Sequence, residues 1–217
     1  MSSVPLPFDH LIIVLDESES MKKRKSEIIE AVNKFIKSIA SGVSFVTSVV
    51  TFNDTSIIVI DRLPQVPLVD STDYNPKGMT ALYDAIGQVI TTLVREGERT
   101  LCCVVTDGEE NSSTIFTSLS VRDLIFSKGD SLQMIYLGSN QDAILNGNAF
   151  GISDSDCIAY EDDEIDSVFE CLGSAISRGG CKIVFTEEEK KKFTRKGVDD
   201  DDCIFETLGS SRKFKSK

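Results

Sequence analysis

The 217-residue sequence has few of the side chains that build zinc centres. It contains one histidine, His10, and its six cysteines include no Cys-x-x-Cys pair. Because proteins hold zinc with closely spaced cysteines and histidines, a zinc site of that kind is not expected. We expect reduced, structural thiols, with Cys102 and Cys103 pointing to opposite faces of a buried strand.

Long apolar runs are also missing. No stretch of about eighteen apolar residues occurs, so no transmembrane helix is predicted. The first residues carry no basic segment, and the first apolar run, residues 11–15, is too short for the core of a signal peptide. We therefore expect a cytoplasmic protein without a membrane partner.

Positive charge is scarce. The chain has 23 Lys and Arg against 35 Asp and Glu, a net charge of −12. A general nucleic-acid binder needs a basic face, so a nucleic-acid partner is not expected, and an anionic membrane surface is disfavoured for the same reason. The apolar fraction of 41% is ordinary for a soluble globular protein, and the chain is long enough to bury a core without disulfides.

Apolar periodicity predicts alternating strands and helices. The predicted strands are residues 8–15, 43–52, 56–62, 100–106, 131–137 and 156–160, and the predicted helices are residues 21–40, 80–95, 118–127, 141–150 and 164–177. Only residues 53–55 join two of the strands, so these two form an antiparallel hairpin. The pattern predicts a doubly wound α/β fold, with a mostly parallel six-stranded sheet, one antiparallel edge strand and helices on both faces.

The composition changes near Lys182. We expect residues 1–180 to form the domain and residues 181–217 to form an appendage. Thr186 and Glu189 have the spacing of a capping box, which predicts a short helix to about residue 194. Apolar residues predict that 181–208 docks on the domain, whereas 210–217 is predicted to be mobile. The acidic run 199–202 lacks the pattern of a calcium loop and is interpreted as a solvated turn.

Oxygen-bearing side chains cluster where two strands end and one helix begins. Asp16, Ser18 and Ser20 follow the first strand, Thr80 opens the second helix, and Asp107 follows the strand 100–106. Ligand sites in doubly wound sheets lie beyond the carboxyl ends of the strands. Carboxylate and hydroxyl oxygens are ligands that Mg²⁺ or Mn²⁺ prefers, so the sequence predicts a divalent metal site there.

These motifs resemble a known arrangement. Asp-x-Ser-x-Ser after strand one, Thr80 in a Gly-x-Thr loop and Asp107 in Thr-Asp-Gly are similar to the metal-ion-dependent adhesion site of von Willebrand factor A domains. Residues 78–86, 105–111 and 137–143 resemble the stand-alone intracellular members of bacteria and phages. The resemblance covers roughly residues 8–178 and implies a Rossmann-like fold. Glu19 departs from it, since many members have glycine at that position.

The resemblance also implies a function. Ser18, Ser20 and Thr80 correspond to direct ligands of a Mg²⁺ ion, for which Mn²⁺ or Ca²⁺ could substitute, and Asp16 and Asp107 to residues that reach it through water. An Asp or Glu carboxylate from a protein partner would complete the coordination. The rim that would meet this partner is expected to comprise Glu17, Glu19, Met79, Glu109, Glu110 and Asn111.

Two other interpretations stay open at this point. The metal could order the loops of a scaffold protein, or two aspartates near Mg²⁺ could support phosphoryl transfer. Phosphatases of the Asp-x-Asp kind have an aspartate where this chain has Ser18, and no phosphate-binding Gly-rich loop is present, so no enzyme is expected.

Three further features have ordinary explanations. His10 is interpreted as a packed strand residue. Asp84 is expected either to brace the site loop or to interact with a helix N-terminus. The cations at residues 22–25 are interpreted as a solvated face, or alternatively as a surface that receives an acidic partner.

Overall fold

The computed structural model describes residues 8–39, 45–64, 67–139 and 143–193 and contains one six-stranded sheet. Its strands are β1 (His10–Asp16), β2 (Val46–Phe52), β3 (Ser56–Leu63), β4 (Thr100–Thr106), β5 (Leu132–Gly138) and β6 (Cys157–Ala159). The strand order is β3-β2-β1-β4-β5-β6, and every neighbouring pair is parallel except β2 and β3. The predicted fold class, including the antiparallel edge strand, is confirmed.

Helices cover both faces of this sheet. They are α1 (Lys25–Ile39), α2 (Leu82–Thr92), α3 (Ser118–Lys128), α4 (Ala143–Ala149), α5 (Ile165–Arg178) and α6 (Glu187–Phe193). Apolar residues of α1, α5 and α6 pack in one core, and those of α2 and α3 pack in the other. All seven residues of β1 are buried, as expected for a central parallel strand covered on both sides.

Alternate residues of the same strands belong to the two halves of the core. Leu11 and Ile13 of β1 face the α1 side, whereas Ile12 faces the α2 side. The prediction that the adjacent residues Cys102 and Cys103 point to opposite faces is confirmed, because Cys103 lies in the core on the α1 side and Cys102 in the core on the α2 side.

Two helix starts differ from the prediction. The segment predicted as one helix from residue 21 begins as a 3-10 helix, Glu19–Arg24, before α1; such turns are common at helix N-termini. Helix α2 begins at Leu82 rather than Thr80, because the backbone of Ala81 is not helical (φ −88°, ψ 63°). The amide of Thr80 donates to Asn111 Oδ1 at 2.8 Å and the amide of Ala81 to the carbonyl of Asn53 at 2.8 Å.

The chain after α5 packs onto the same domain as far as the structure describes it. Ile183, Phe185 and Phe193 are buried in the core of α1 and α5. The predicted capping box is present, since the Glu189 amide donates to Thr186 Oγ1 at 3.1 Å and the Thr186 amide donates to Glu189 Oε2 at 2.8 Å. The predictions for residues 194–208, for the run 199–202 and for 210–217 lie outside the described residues.

Candidate metal centre

The five predicted ligands come together at the carboxyl edge of the sheet. Asp16 is the last residue of β1, and Asp107 follows the last residue of β4. These strands are neighbours with Leu15 beside Val105, so their ends lie side by side. Ser18 and Ser20 lie on the loop and turn after β1.

A chain of hydrogen bonds links four of these side chains. The Ser18 amide donates to Asp16 Oδ1 at 2.7 Å, and the hydroxyls of Ser18 and Ser20 are 2.9 Å apart. The Ser20 hydroxyl donates to Asp107 Oδ1 at 2.6 Å, so the Ser18 hydroxyl is the donor to Ser20. The two serines therefore present their oxygens to one place, as their spacing predicts.

Thr80 joins the site from the opposite side. Its backbone is clamped to Asn111, which accepts from the Thr80 amide at 2.8 Å and donates its own amide to the Thr80 carbonyl at 3.0 Å. A Cβ atom added at Gly108 would lie 3.1 Å from Thr80 Oγ1 and 3.6 Å from Asp16 Oδ2. The Thr80 hydroxyl and the Asp16 carboxylate thus border one small space, which the absence of a side chain at Gly108 keeps open.

Asp16 is fully buried, and burial sets its ionisation. Loss of water raises the pKa of Asp16 to about 6, and the negative charge of Asp107 adds to this effect. Hydrogen bonds from Thr106 Oγ1, at 2.5 Å, and from Ser18 act in the opposite direction. The hydroxyl of the buried Tyr74 donates to the Asp16 carbonyl at 2.6 Å and fixes the end of β1.

The residues present fit a hard divalent cation. Three hydroxyls and two carboxylates converge, one carboxylate is held in a desolvated position that favours a nearby cation, and Gly108 leaves room beside them. Ser20 is exposed and Asp107 half-buried, so the site opens to solvent on their side. Within the described parts of the chain, no group of three or more His, Cys, Asp or Glu side chains could hold a metal ion. Any ion at this edge would therefore rely on the hydroxyls.

Hydrogen bonds hold two of the predicted rim carboxylates against neighbouring loops. Glu17 is only 6% exposed, and its carboxylate accepts from the Asn75 amide. The carboxylate of Glu110 accepts from the amides of Tyr83, at 2.9 Å, and of Ser113, at 2.6 Å. Asn111 also clamps Thr80, but Asn111 is exposed and Glu110 is half-buried, so both remain at the accessible rim and only Glu17 is withdrawn from it.

The accessible rim lacks one of the predicted carboxylates, that of the buried Glu17. Glu19, Met79, Glu109 and Asn111 are exposed, with Met79 at 48%. Glu19 forms an ion pair with Lys22 at 3.0 Å, which offsets its charge. The rim that remains therefore has one exposed apolar side chain and few uncompensated charges.

Asp84 proves to be a loop brace. Its carboxylate accepts from the amides of Thr114 at 2.8 Å, Ile115 at 2.9 Å and Phe116 at 2.7 Å. It ties the loop after Asp107 to the first turn of α2, close to Thr80. Of the two interpretations, bracing is the one that the contacts support.

Arg24 lies near the candidate site at the carboxyl edge of the sheet, and the sequence pattern did not indicate this. It was predicted to be part of a solvated cationic face, but it is buried, and its guanidinium lies 5.5 Å from the ring centre of Tyr160. It also donates to Ser139 Oγ at 3.3 Å, at the end of β5. Arg24 therefore joins the turn that carries Ser20 to the ends of β5 and β6. Residues 140–142, which follow Ser139, lie outside the described part.

Comparisons with known proteins define the fold. No protein-family model matches the sequence, and no curated protein matches it. Solved structures do match: proximal thread matrix protein 1 of the mussel byssus is 17% identical, with a TM-score of 0.61 over 80% of this chain and 47% of that chain. A von Willebrand factor type A protein of Catenulispora acidiphila is 14% identical, with a TM-score of 0.56 over 78% of this chain and 43% of that one.

The chain has the fold of a von Willebrand factor A domain. It spans about half the length of the structures that it matches first. A further structure of the mussel protein is described as having a zinc-occupied MIDAS motif, and it matches at 13% identity, with a TM-score of 0.60 over 83% of this chain and 50% of that chain. None of the helices in the described residues is both long and apolar enough to cross a membrane.

Proposed function

We propose that this chain is a metal-dependent protein-binding module, in which a Mg²⁺-type ion at the carboxyl edge of the sheet binds an Asp or Glu carboxylate of a partner protein. One observation supports the proposal: hydrogen bonds link Asp16, Ser18, Ser20 and Asp107 at one edge of the sheet, and the Thr80 hydroxyl lies beside the Asp16 carboxylate at Gly108. Ser18, Ser20 and Thr80 would hold the ion directly, and Asp16 and Asp107 would hold it through water.

The donor set explains why such an ion would bind an outside carboxylate. Hydroxyl oxygens are uncharged, so the ion would keep most of its positive charge and would attract an anionic ligand. The exposed side of the site, at Ser20 and Asp107, leaves an approach for that ligand. Mn²⁺ and Ca²⁺ also prefer oxygen ligands, and the zinc-occupied motif of the mussel protein adds Zn²⁺ to the ions that need to be compared.

The partner class follows from the corrected rim. Glu17 and Glu110 accept from backbone amides, so their carboxylates are held in place and are not the groups that a partner would contact first. An acidic side chain flanked by an apolar residue, able to contact Met79, fits the accessible rim. Partners of this class would be proteins rather than nucleic acids or membranes, given the net charge of −12.

We favour binding over catalysis for this fold. The most nucleophile-like pair, Ser48 and His10, is 2.9 Å apart, but Arg62 donates to His10 Nδ1 at 2.9 Å. Because arginine only donates, His10 Nε2 must carry the proton and donate to Ser48, which is the wrong tautomer for a general base. Burial also raises the pKa of Cys102 to about 12, so its thiol stays protonated.

We also place the protein in the cytoplasm. All five cysteines in the described part of the chain are free thiols, four of them buried, as is usual where glutathione keeps thiols reduced. Fractionation of cells that carry the tagged chain would test this.

The decisive experiment compares capture of partners with and without the ion. The wild-type chain and a Ser18→Ala/Ser20→Ala variant are immobilised, and bound proteins are identified in Mg²⁺ and in EDTA. The proposal predicts a partner that binds only the wild type and only with metal, and that loses binding when one of its acidic residues becomes an amide. A partner that EDTA does not release would instead favour the scaffold alternative, in which the metal only orders the loops.

A further inference from the structure

The most exposed large apolar side chains of the described residues lie together at helix α3. Ile115 is 77% exposed, Phe126 73% and Leu119 68%. Leu119 and Phe126 are seven residues apart in α3, which places them on the same stripe two turns apart. Val121 and Leu124 occupy the opposite side and pack on the domain. The three most exposed large apolar side chains of the described residues thus lie in α3 or in the loop just before it, and this concentration favours an interaction surface.

Two charged side chains flank this stripe symmetrically. Arg122 and Asp123 lie midway between Leu119 and Phe126, each about 50° from the line that joins them at 100° per residue. Both are exposed. Among the residues that the structure describes, neither forms an ion pair. One edge of the stripe is therefore positive and the other negative.

We propose that this face of α3 binds the same face of a second copy of the chain, with the two helices parallel about a two-fold axis. Leu119 would then meet Leu119 of the second copy, and Phe126 would meet Phe126. The positive edge of each helix would face the negative edge of the other, so that Arg122 pairs with Asp123 twice. Such an interface is self-complementary, as two-fold symmetry requires.

The charges select this orientation over its reverse. In an antiparallel pair, each edge of one helix would face the same edge of the other helix. Arg122 would then lie against Arg122 of the second copy, and Asp123 against Asp123. Like charges across an interface oppose association. The parallel arrangement converts both contacts into attractive pairs while it buries the same apolar stripe.

The dimer is expected to be weak and independent of metal. One helix face is smaller than the roughly 800 Å² per partner of a standard interface, and each copy has a net charge of −12. None of the five predicted metal ligands lies on α3. Association should therefore depend on protein concentration and be the same in Mg²⁺ and in EDTA.

Sedimentation equilibrium of the full chain, from micromolar to millimolar concentration in EDTA, tests the proposal. We expect a monomer–dimer equilibrium, and we expect Phe126→Ser to raise the dissociation constant at least about tenfold. Circular dichroism and melting should be unchanged, because Phe126 is exposed. A chain that stays monomeric throughout, or a dimer that Phe126→Ser does not affect, would overturn the proposal and leave the stripe to a different protein.

A charge-reversal experiment tests the orientation itself. Arg122→Glu alone creates two Glu–Asp contacts between identical copies, and Asp123→Lys alone creates two Arg–Lys contacts, so each variant should dimerise less than the wild type. An equimolar mixture of the two variants restores two opposite-charge pairs and should associate more tightly than either variant alone. If the mixture gains nothing, the parallel pairing is wrong.

Discussion

The carboxylate of Asp107 interacts with two individual side chains of the site, those of Ser20 and Asp16. It accepts from the Ser20 hydroxyl at 2.6 Å, and its charge helps to raise the pKa of the buried Asp16. Asp107→Asn keeps an oxygen for Ser20 but removes the repulsion. We therefore expect the metal-free variant to be as stable as the wild type, or more stable by up to about 1 kcal/mol, and to gain nothing from Mg²⁺.

Urea denaturation in EDTA and in Mg²⁺ measures both parts of this prediction. Asp107→Ala is the matched control, since it also removes the acceptor and should lose stability in EDTA. A clear loss of metal-free stability in Asp107→Asn would show that the carboxylate matters as a structural acceptor, and the electrostatic argument would fail.

His10 gives a prediction about pH. Burial and the neighbouring Arg62 lower the pKa of His10 to about 4, against about 6.5 in an unfolded chain. The folded state therefore binds the proton less readily, so stability that is present above pH 6.5 is lost as the pH falls towards 4. This single group should cost about 2–3 kcal/mol between pH 7 and pH 4.

His10→Gln is the variant that isolates this effect. Its amide can accept from Arg62 and donate to Ser48, as the neutral imidazole does, but it does not titrate. The difference in unfolding free energy between wild type and variant should shift in favour of the variant below pH 6. A constant difference across this range would mean that His10 has the same pKa in the folded and unfolded states, and the burial argument would fail.

At the scale of elements, the loop after β4 depends on one side chain of α2. The Asp84 carboxylate accepts three amides of residues 114–116, and these amides have no strand or helix partner. We expect Asp84→Ala to cost about 1–3 kcal/mol and to speed hydrogen exchange at these amides. Glu96→Ala, at an exposed turn, is the control. Unchanged exchange at residues 114–116 would contradict the bracing role.

Strands and helices were predictable because their periodicities depend on burial alone. The run of apolar residues in β1 and the helical spacing in α1 follow directly from the two-layer architecture. The starts of α1 and α2 were misplaced because apolar spacing does not distinguish the 3-10 turn Glu19–Arg24 from an α-helix and does not reveal the non-helical backbone of Ala81.

The site was predictable in its ligands but not in its surroundings. Asp16, Ser18 and Thr80 are placed by topology, since strand ends in a parallel sheet meet at one edge. The orientations of Glu17 and Glu110 depend on which backbone amides lie nearby, and only the folded chain shows these. The weak signal for Glu110 was its position four residues after the end of β4.

At the scale of the whole molecule, metal binding should appear as global stability. The site draws on the ends of β1 and β4, the turn before α1 and the segment before α2, so unfolding would scatter its ligands. A ligand that binds only the folded state stabilises it by about 2.7 kcal/mol at a hundredfold excess over its dissociation constant.

We expect Mg²⁺ at that excess to raise the unfolding free energy by this amount, as measured by urea denaturation in Mg²⁺ and in EDTA. Ser18→Ala/Ser20→Ala should abolish the gain, and urea denaturation of this variant in EDTA gives the separate cost of losing the buried Ser18 hydroxyl. A wild-type unfolding free energy that millimolar Mg²⁺ and Mn²⁺ leave unchanged would count against a competent metal centre.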